Sequence, residues 1–173
     1  LTAVTSSGQA IVNSGTYSEA VSLSGTRTLT ITGSANVTLN SLAAVSGTTI
    51  QNNGSSLTVG DGTNTTIAGA IHGTGSLTKT GSGTTILSGT NNYTGTTTVQ
   101  GGTLQLDGSV TSNVTVNAAA TLSGRGTVTG NVGVQASGTL SAGDGTTPGI
   151  LTITGNLTSA GAVKFNVNSP WTI

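Results

Sequence analysis

The chain has no cysteine and no methionine. It carries four basic and four acidic side chains, one histidine, two prolines and four aromatic residues among 173. Each shortage removes a class of explanation. Without cysteine there is neither a disulfide framework nor a thiolate metal site. A formal net charge of zero leaves no basic surface for a phosphate backbone, so nucleic acid is not an expected partner. No apolar run approaches the ~20 residues of a membrane-spanning helix. Helical bundles are disfavoured because Glu, Lys, Met and Arg, the good helix formers, are almost missing. Disordered chains combine low hydrophobicity with high net charge, whereas this one is 33% hydrophobic and uncharged overall.

Glycine, threonine and serine supply half of the chain, at 28, 37 and 21 residues. The apolar residues, mostly Val, Leu, Ile and Ala, are spread evenly from end to end. That distribution predicts a thin, continuous core rather than a ball. Short segments alternate apolar with polar residues: Leu29–Thr32, Val37–Asn40, Leu104–Asp107, Val114–Asn117 and Leu151–Thr154. Alternate side chains of a strand point to opposite faces, so each segment offers one face to a core and one to water. Threonine suits the wet face because its branched Cβ fits a pleat. Turn signals such as Gly60-Asp61-Gly62, Gly101-Gly102 and Asp107-Gly108 separate the segments, which predicts an all-β chain of many short strands.

Internal repetition selects the architecture. Residues 108–124 and 126–142 are identical at 10 of 17 positions at an offset of 18. A third copy follows if a loop near 143–149 is inserted, with Val128 recurring as Ile153, Val132 as Leu157 and Leu140 as Phe165. Asp144, Gly145 and Pro148 suit such a loop. A period near 18 with apolar positions kept in place predicts a single-stranded parallel β-helix, a solenoid with rungs of roughly 18–22 residues. One continuous segment over 1–173 is expected, with rung repeats over 108–167. Asn113 and Asn131 are expected to stack at a turn, as asparagine ladders do. Eight or nine rungs about 4.8 Å apart would give a rod of roughly 40 Å.

Residues 73–106 read Gly75-Ser76-Leu77-Thr78-Lys79, Leu87-Ser88-Gly89, Asn91-Asn92-Tyr93-Thr94-Gly95, Thr97-Thr98-Val99 and Gly101-Gly102-Thr103-Leu104 in order. This resembles the passenger-associated transport repeat, also called the autotransporter-associated β-strand repeat. The resemblance implies a fragment of a Gram-negative autotransporter passenger, folded as a right-handed parallel β-helix. It further implies an extracellular or cell-surface location and, as partner, the outer-membrane β-barrel translocator of the full-length protein. The family repeat is associated with secretion and folding and is not catalytic. The chain shows no barrel pattern. It opens on Leu1 without a leader, so a trimmed or processed piece is expected.

Chemistry is sparse. Glycosidase carboxylates must lie within roughly 5–9.5 Å of each other. Glu19, Asp61, Asp107 and Asp144 are far apart in sequence, and the aspartates sit in turn-like Gly-rich stretches where they would cap backbone groups. Every Ser–His–Asp scheme must use His72, which reads as a surface residue, and no Gly-x-Ser-x-Gly elbow occurs. Asp61 and Asp144 lack the repeated nonapeptide of calcium solenoids. No catalytic, cofactor or metal residue is therefore expected. A polysaccharide-binding or polysaccharide-cleaving β-helix is the alternative. An ice-binding threonine array is the weaker one, because Thr-x-Thr pairs recur irregularly. The favoured reading is a non-catalytic stalk that presents adhesive regions to a host or matrix surface. Tyr93 is the candidate surface contact, with packing at a corner as its alternative. Open solenoid ends carry unpaired backbone groups. End-to-end self-association is thus expected of the isolated chain, and a strict monomer at high concentration would contradict it. Phe165–Ile173 is the expected cap.

Overall fold

A computed structural model of the chain describes residues 9–12, 15–32 and 36–165. All regular elements among them are strands, stacked in parallel as a β-solenoid of about seven turns. The alternation seen in the sequence explains why. Each rung buries alternate residues along three short strands, and the next rung hydrogen-bonds to it in register.

Three faces result. The first runs through Gln9–Val12, Thr28–Ile31, Thr49–Asn52 and Ala70–His72, then through Thr90–Asn91, Ser109–Val110, Thr127–Val128 and Thr152–Ile153. The second includes Ser56–Val59, Ser76–Lys79, Thr97–Val99, Val114–Val116, Val132–Val134 and Leu157–Ser159. The third includes Thr65–Ile67, Thr84–Leu87, Thr103–Leu106, Thr121–Gly124, Thr139–Ala142 and Ala162–Phe165. The nine-residue strands Gly15–Leu23 and Asn36–Ala44 run along both of these faces. The first half of Asn36–Ala44 pairs with Ser56–Val59, and its last residue pairs with Ile67.

The core is a set of ladders of like side chains. Leu29, Ile50 and Ile71 stack on the first face, and Val37, Leu57 and Leu77 on the second. Leu104, Leu122 and Leu140 stack on the third. All nine are at most 5% exposed. Burying each such side chain contributes about 1.5–3 kcal/mol, and stability accumulates from one rung interface to the next.

Threonines line the outside. Thr38, Thr58, Thr78, Thr98 and Thr115 are consecutive register partners on the second face, and Gly133 interrupts the file. Thr84, Thr103, Thr121 and Thr139 form a second file on the third face. The Thr-x-Thr pairs recur irregularly in sequence because they fall on different faces and because rung lengths vary.

The asparagine stack is present. The Asn131 N–H donates to Asn113 Oδ1, and the Asn156 N–H to Asn131 Oδ1, each at 2.8 Å. Val128 pairs with Ile153 and Val132 with Leu157, as the repeat predicts. Leu140, however, pairs with Val163 rather than Phe165, which stands opposite Ala142. The turn that follows Ser159 is two residues shorter than the one that follows Val134, so the repeat slips there. Phe165 is 73% exposed, and the rest of the expected cap, 166–173, lies outside the described residues. Beyond Gly143 the extra loop is tied back by an Arg125–Asp144 ion pair of 2.6 Å and by an antiparallel bridge between Gly124 and Gly143.

Candidate functional site

Polar side chains take interior places among the aliphatic ladders, Asn52 in an earlier turn and several more in the turns around residues 77–112. On the second face, Leu39 and Val59 are followed in register by Lys79 and then Val99. Lys79 is 0% exposed, so its methylene stem serves as a rung of the ladder. Its Nζ donates to Thr80 O at 2.6 Å and to Gly81 O and Gly101 O, both at 3.2 Å. Three backbone carbonyls thus replace water around the ammonium. Burial pushes its pKa below the ordinary lysine value, with the Asp61 carboxylate acting in the opposite direction.

On the first face the backbone ladder thins between Ala70–His72 and Thr90–Asn91, where the Asn92 N–H donates to Ile71 O and the Thr94 N–H to Gly73 O, both at 3.0 Å. Asn91, 0% exposed, adds side-chain bonds at this join. Its Oδ1 accepts from the Ile71 N–H at 3.0 Å, and its Nδ2 donates to Gly89 O and Ser109 O, both at 3.0 Å. One carboxamide therefore joins the turn before it to the turn after it. Its partner along the stack is Val110.

Tyr93 corrects the expectation of a surface contact. It is 0% exposed and packs in the core, the alternative that the sequence left open. Its hydroxyl shares a hydrogen bond of 2.5 Å with Thr97 Oγ1, which lies 2.6 Å from Ser112 Oγ. Thr97 occupies the ladder place between Leu77 and Val114. The ring fills a corner, and its polar end continues into a buried hydroxyl relay that reaches the next turn. Burial raises the phenol pKa from 10.0 to about 12, against the lowering effect of the two hydroxyls.

The other chemistry-bearing residues are engaged locally. Asp61 accepts from the Thr63 hydroxyl and N–H, both at 2.6 Å, and these bonds lower its pKa, the hydroxyl foremost. Asp107 accepts from Gln105 Nε2 at 2.7 Å. Asp144 accepts from the Thr147 N–H at 2.6 Å and from the Thr146 hydroxyl and N–H. Those bonds, Thr147 first, hold its carboxyl well below the usual carboxylate range. His72 Nδ1 is hydrogen-bonded to Asn92 Oδ1. The Glu19 side chain lies outside the described residues. Among the described residues no three His, Asp or Glu side chains gather as a metal site.

Sequence reasoning missed the inward placement of Lys79 and Asn91. The available signal was register. Each stands where neighbouring rungs carry a valine or an isoleucine.

Residues 77–106 match the family model of the passenger-associated-transport-repeat. No curated protein and no solved structure matches the chain. The repeat and the stacked solenoid around it fit an autotransporter passenger repeat.

Proposed function

We propose that the chain is a non-catalytic structural stalk of a secreted or surface-displayed autotransporter passenger. In this reading it supports export through an outer-membrane β-barrel translocator and presents adhesive regions beyond the cell surface. The observation that carries the reading is where the transport-repeat residues sit. Lys79, Asn91, Tyr93 and Thr97 all face the interior of the stacked rungs. Side chains so placed recognise no substrate, but they join rungs. The outer faces are lined largely by Thr, Ser, Asn and Gln, and the three described aspartates are occupied in turns, which suits a passive rod.

The test uses the parent protein. Excising residues 77–96 removes one turn and joins Ser76 to Thr97, so that Thr97 takes the place of its register partner Leu77. Duplicating 108–125 lengthens the rod by one turn at the natural offset of 18. Surface exposure, read by protease accessibility on intact cells, is expected to fall several-fold on excision and to hold on duplication. Undiminished exposure after excision would contradict an export role. Release of sugar fragments from a polysaccharide by the purified chain would revive the enzymatic alternative.

A further inference from the structure

Ladders of Leu, Ile and Val have a weakness that follows from their regularity. A rung sees nearly the same interior whichever rung it stacks upon, so the aliphatic contacts distinguish poorly between correct and slipped stacking. Register in β structure is firmly specified only where a misplaced residue meets a penalty. The turns from Ser76 to Ser112 contain residues that would meet one.

We propose that Lys79, Asn91 and the Tyr93–Thr97–Ser112 relay form a register lock, which selects the correct stacking order of the rungs as the solenoid folds. Each group requires a partner from a specific turn. Lys79 takes Gly101 O from the turn after its own. Asn91 takes the Ile71 N–H from the turn before and Ser109 O from the turn after. Thr97 joins Tyr93 in its own turn to Ser112 in the next. Consider a slip in which the strand Ala70–His72 stacks directly on Ser109–Val110 and the turn between them is left out. Lys79 loses one carbonyl, Asn91 and Tyr93 lose their places and the omitted turn gives up its own apolar burial, while the rungs on either side find equivalent aliphatic contacts. Lys79 stays inside, where a buried polar group that loses partners costs about 1–3 kcal/mol, more when charged, whereas Asn91 and Tyr93 give up their bonds to neighbouring turns. Selection of register is the best-attested use of such groups.

Asn91 is the most discriminating member. It stands where the two sheets of the first face meet and few direct backbone bonds cross, so its carboxamide carries a share of the native stacking there. In the slipped stacking, backbone could pair with backbone instead. Replacing Asn91 by an apolar residue therefore penalises the native order and leaves the slipped one untouched. The lock concerns folding of the chain itself and holds whether or not the rod serves in export.

The chain lacks cysteine, so an introduced pair is the sole thiol pair. Thr98 is the register partner of both Thr78 and Thr115. Two strand spacings of about 4.8 Å separate Thr78 from Thr115, beyond the ~7 Å limit for a disulfide. In the slipped stacking the two become neighbours. Thr78→Cys/Thr115→Cys is introduced into the native core and into Lys79→Met/Asn91→Val, and both chains are refolded with glutathione buffer. The native core is expected to give only background intramolecular disulfide, while Thr78→Cys/Thr98→Cys closes readily. The apolar core is expected to raise the Thr78–Thr115 bridge about fivefold or more while keeping β-type circular dichroism. A bridge still at background in the apolar core would overturn the proposal. Complete loss of the β signal would overturn it too, because the polar groups would then supply stability rather than choose a register.

Discussion

Gly81→Ala is expected to destabilise the solenoid by about 2–5 kcal/mol, with loss of protection in the turns on either side. Gly81 has φ +67°, the left-handed region that costs a residue with a Cβ roughly 1–2 kcal/mol. A Cβ built there would also lie 1.9 Å from Asp61 O and 2.4 Å from its carbonyl carbon. That oxygen belongs to the backbone of the rung below, so the clash is relieved only by prising two rungs apart. The same carbonyl receives the Gly83 N–H at 3.1 Å, and Gly81 O is one of the three acceptors around Lys79. A single methyl thus strains a corner, a rung contact and the lysine cage together. Gly133→Ala is the matched control. It sits on an outward strand position with nothing within 4 Å of its built Cβ, and its effect should stay within about 0.5 kcal/mol. Urea midpoints at constant slope separate the two. Equal midpoints would mean that the corner has room the structure does not show.

The second large effect is expected at Asn91. Asn91→Val keeps the volume of the ladder place and removes the carboxamide. The Ile71 N–H then loses its acceptor and Ser109 O its donor, for about 2–4 kcal/mol in total. Gly89 O keeps a partner in the Ser109 N–H at 3.1 Å, so it adds little. The loss is local to the first face, and the Ile71 amide should exchange with solvent about 30-fold faster or more. Asn92→Ala removes a neighbouring but exposed asparagine and should leave Ile71 protection unchanged. If both variants behaved alike, the buried carboxamide would add nothing to the backbone bonds that join the two sheets of this face.

How these residues escaped a sequence-level reading has a physical explanation. The rungs themselves were legible, because period-two alternation and the 18-residue offset both derive from side chains that alternate across a strand and stack in register. The asparagine stack and the pairings of Val128 and Val132 followed from the same offset. Interior polar residues leave no such mark. A lysine is by default exposed, and Lys79 is inward because its stem continues the ladder of Leu39 and Val59 while three carbonyls converge at the corner. Asn91 and Tyr93 lie in a stretch of Asn, Thr and Gly that reads as a loop, and the partners of Tyr93, Thr97 and Ser112, are among the commonest residue types in the chain. Phe165 was misplaced for a simpler reason. Two residues are missing from a turn in the last described rung, and an offset carried across that turn lands on the wrong strand position.

Lys79, Asn91, Tyr93 and Thr97 of the transport repeat face inward and hold rungs together. Titration of Tyr93 reads that placement out, since a phenol sealed in the core ionises late. In a Tyr17→Phe chain, phenolate absorbance then reports Tyr93 alone. Burial pushes the phenol from its ordinary 10.0 up to about 12 in the folded chain. Stability from this group is accordingly full below pH 10 and declines as pH rises through that window. The absorbance transition is expected well above pH 10, accompanied by unfolding in alkali and moved to the ordinary value once urea has unfolded the chain. A transition near 10.0 in the folded protein would place Tyr93 in water and contradict an inward-facing transport repeat.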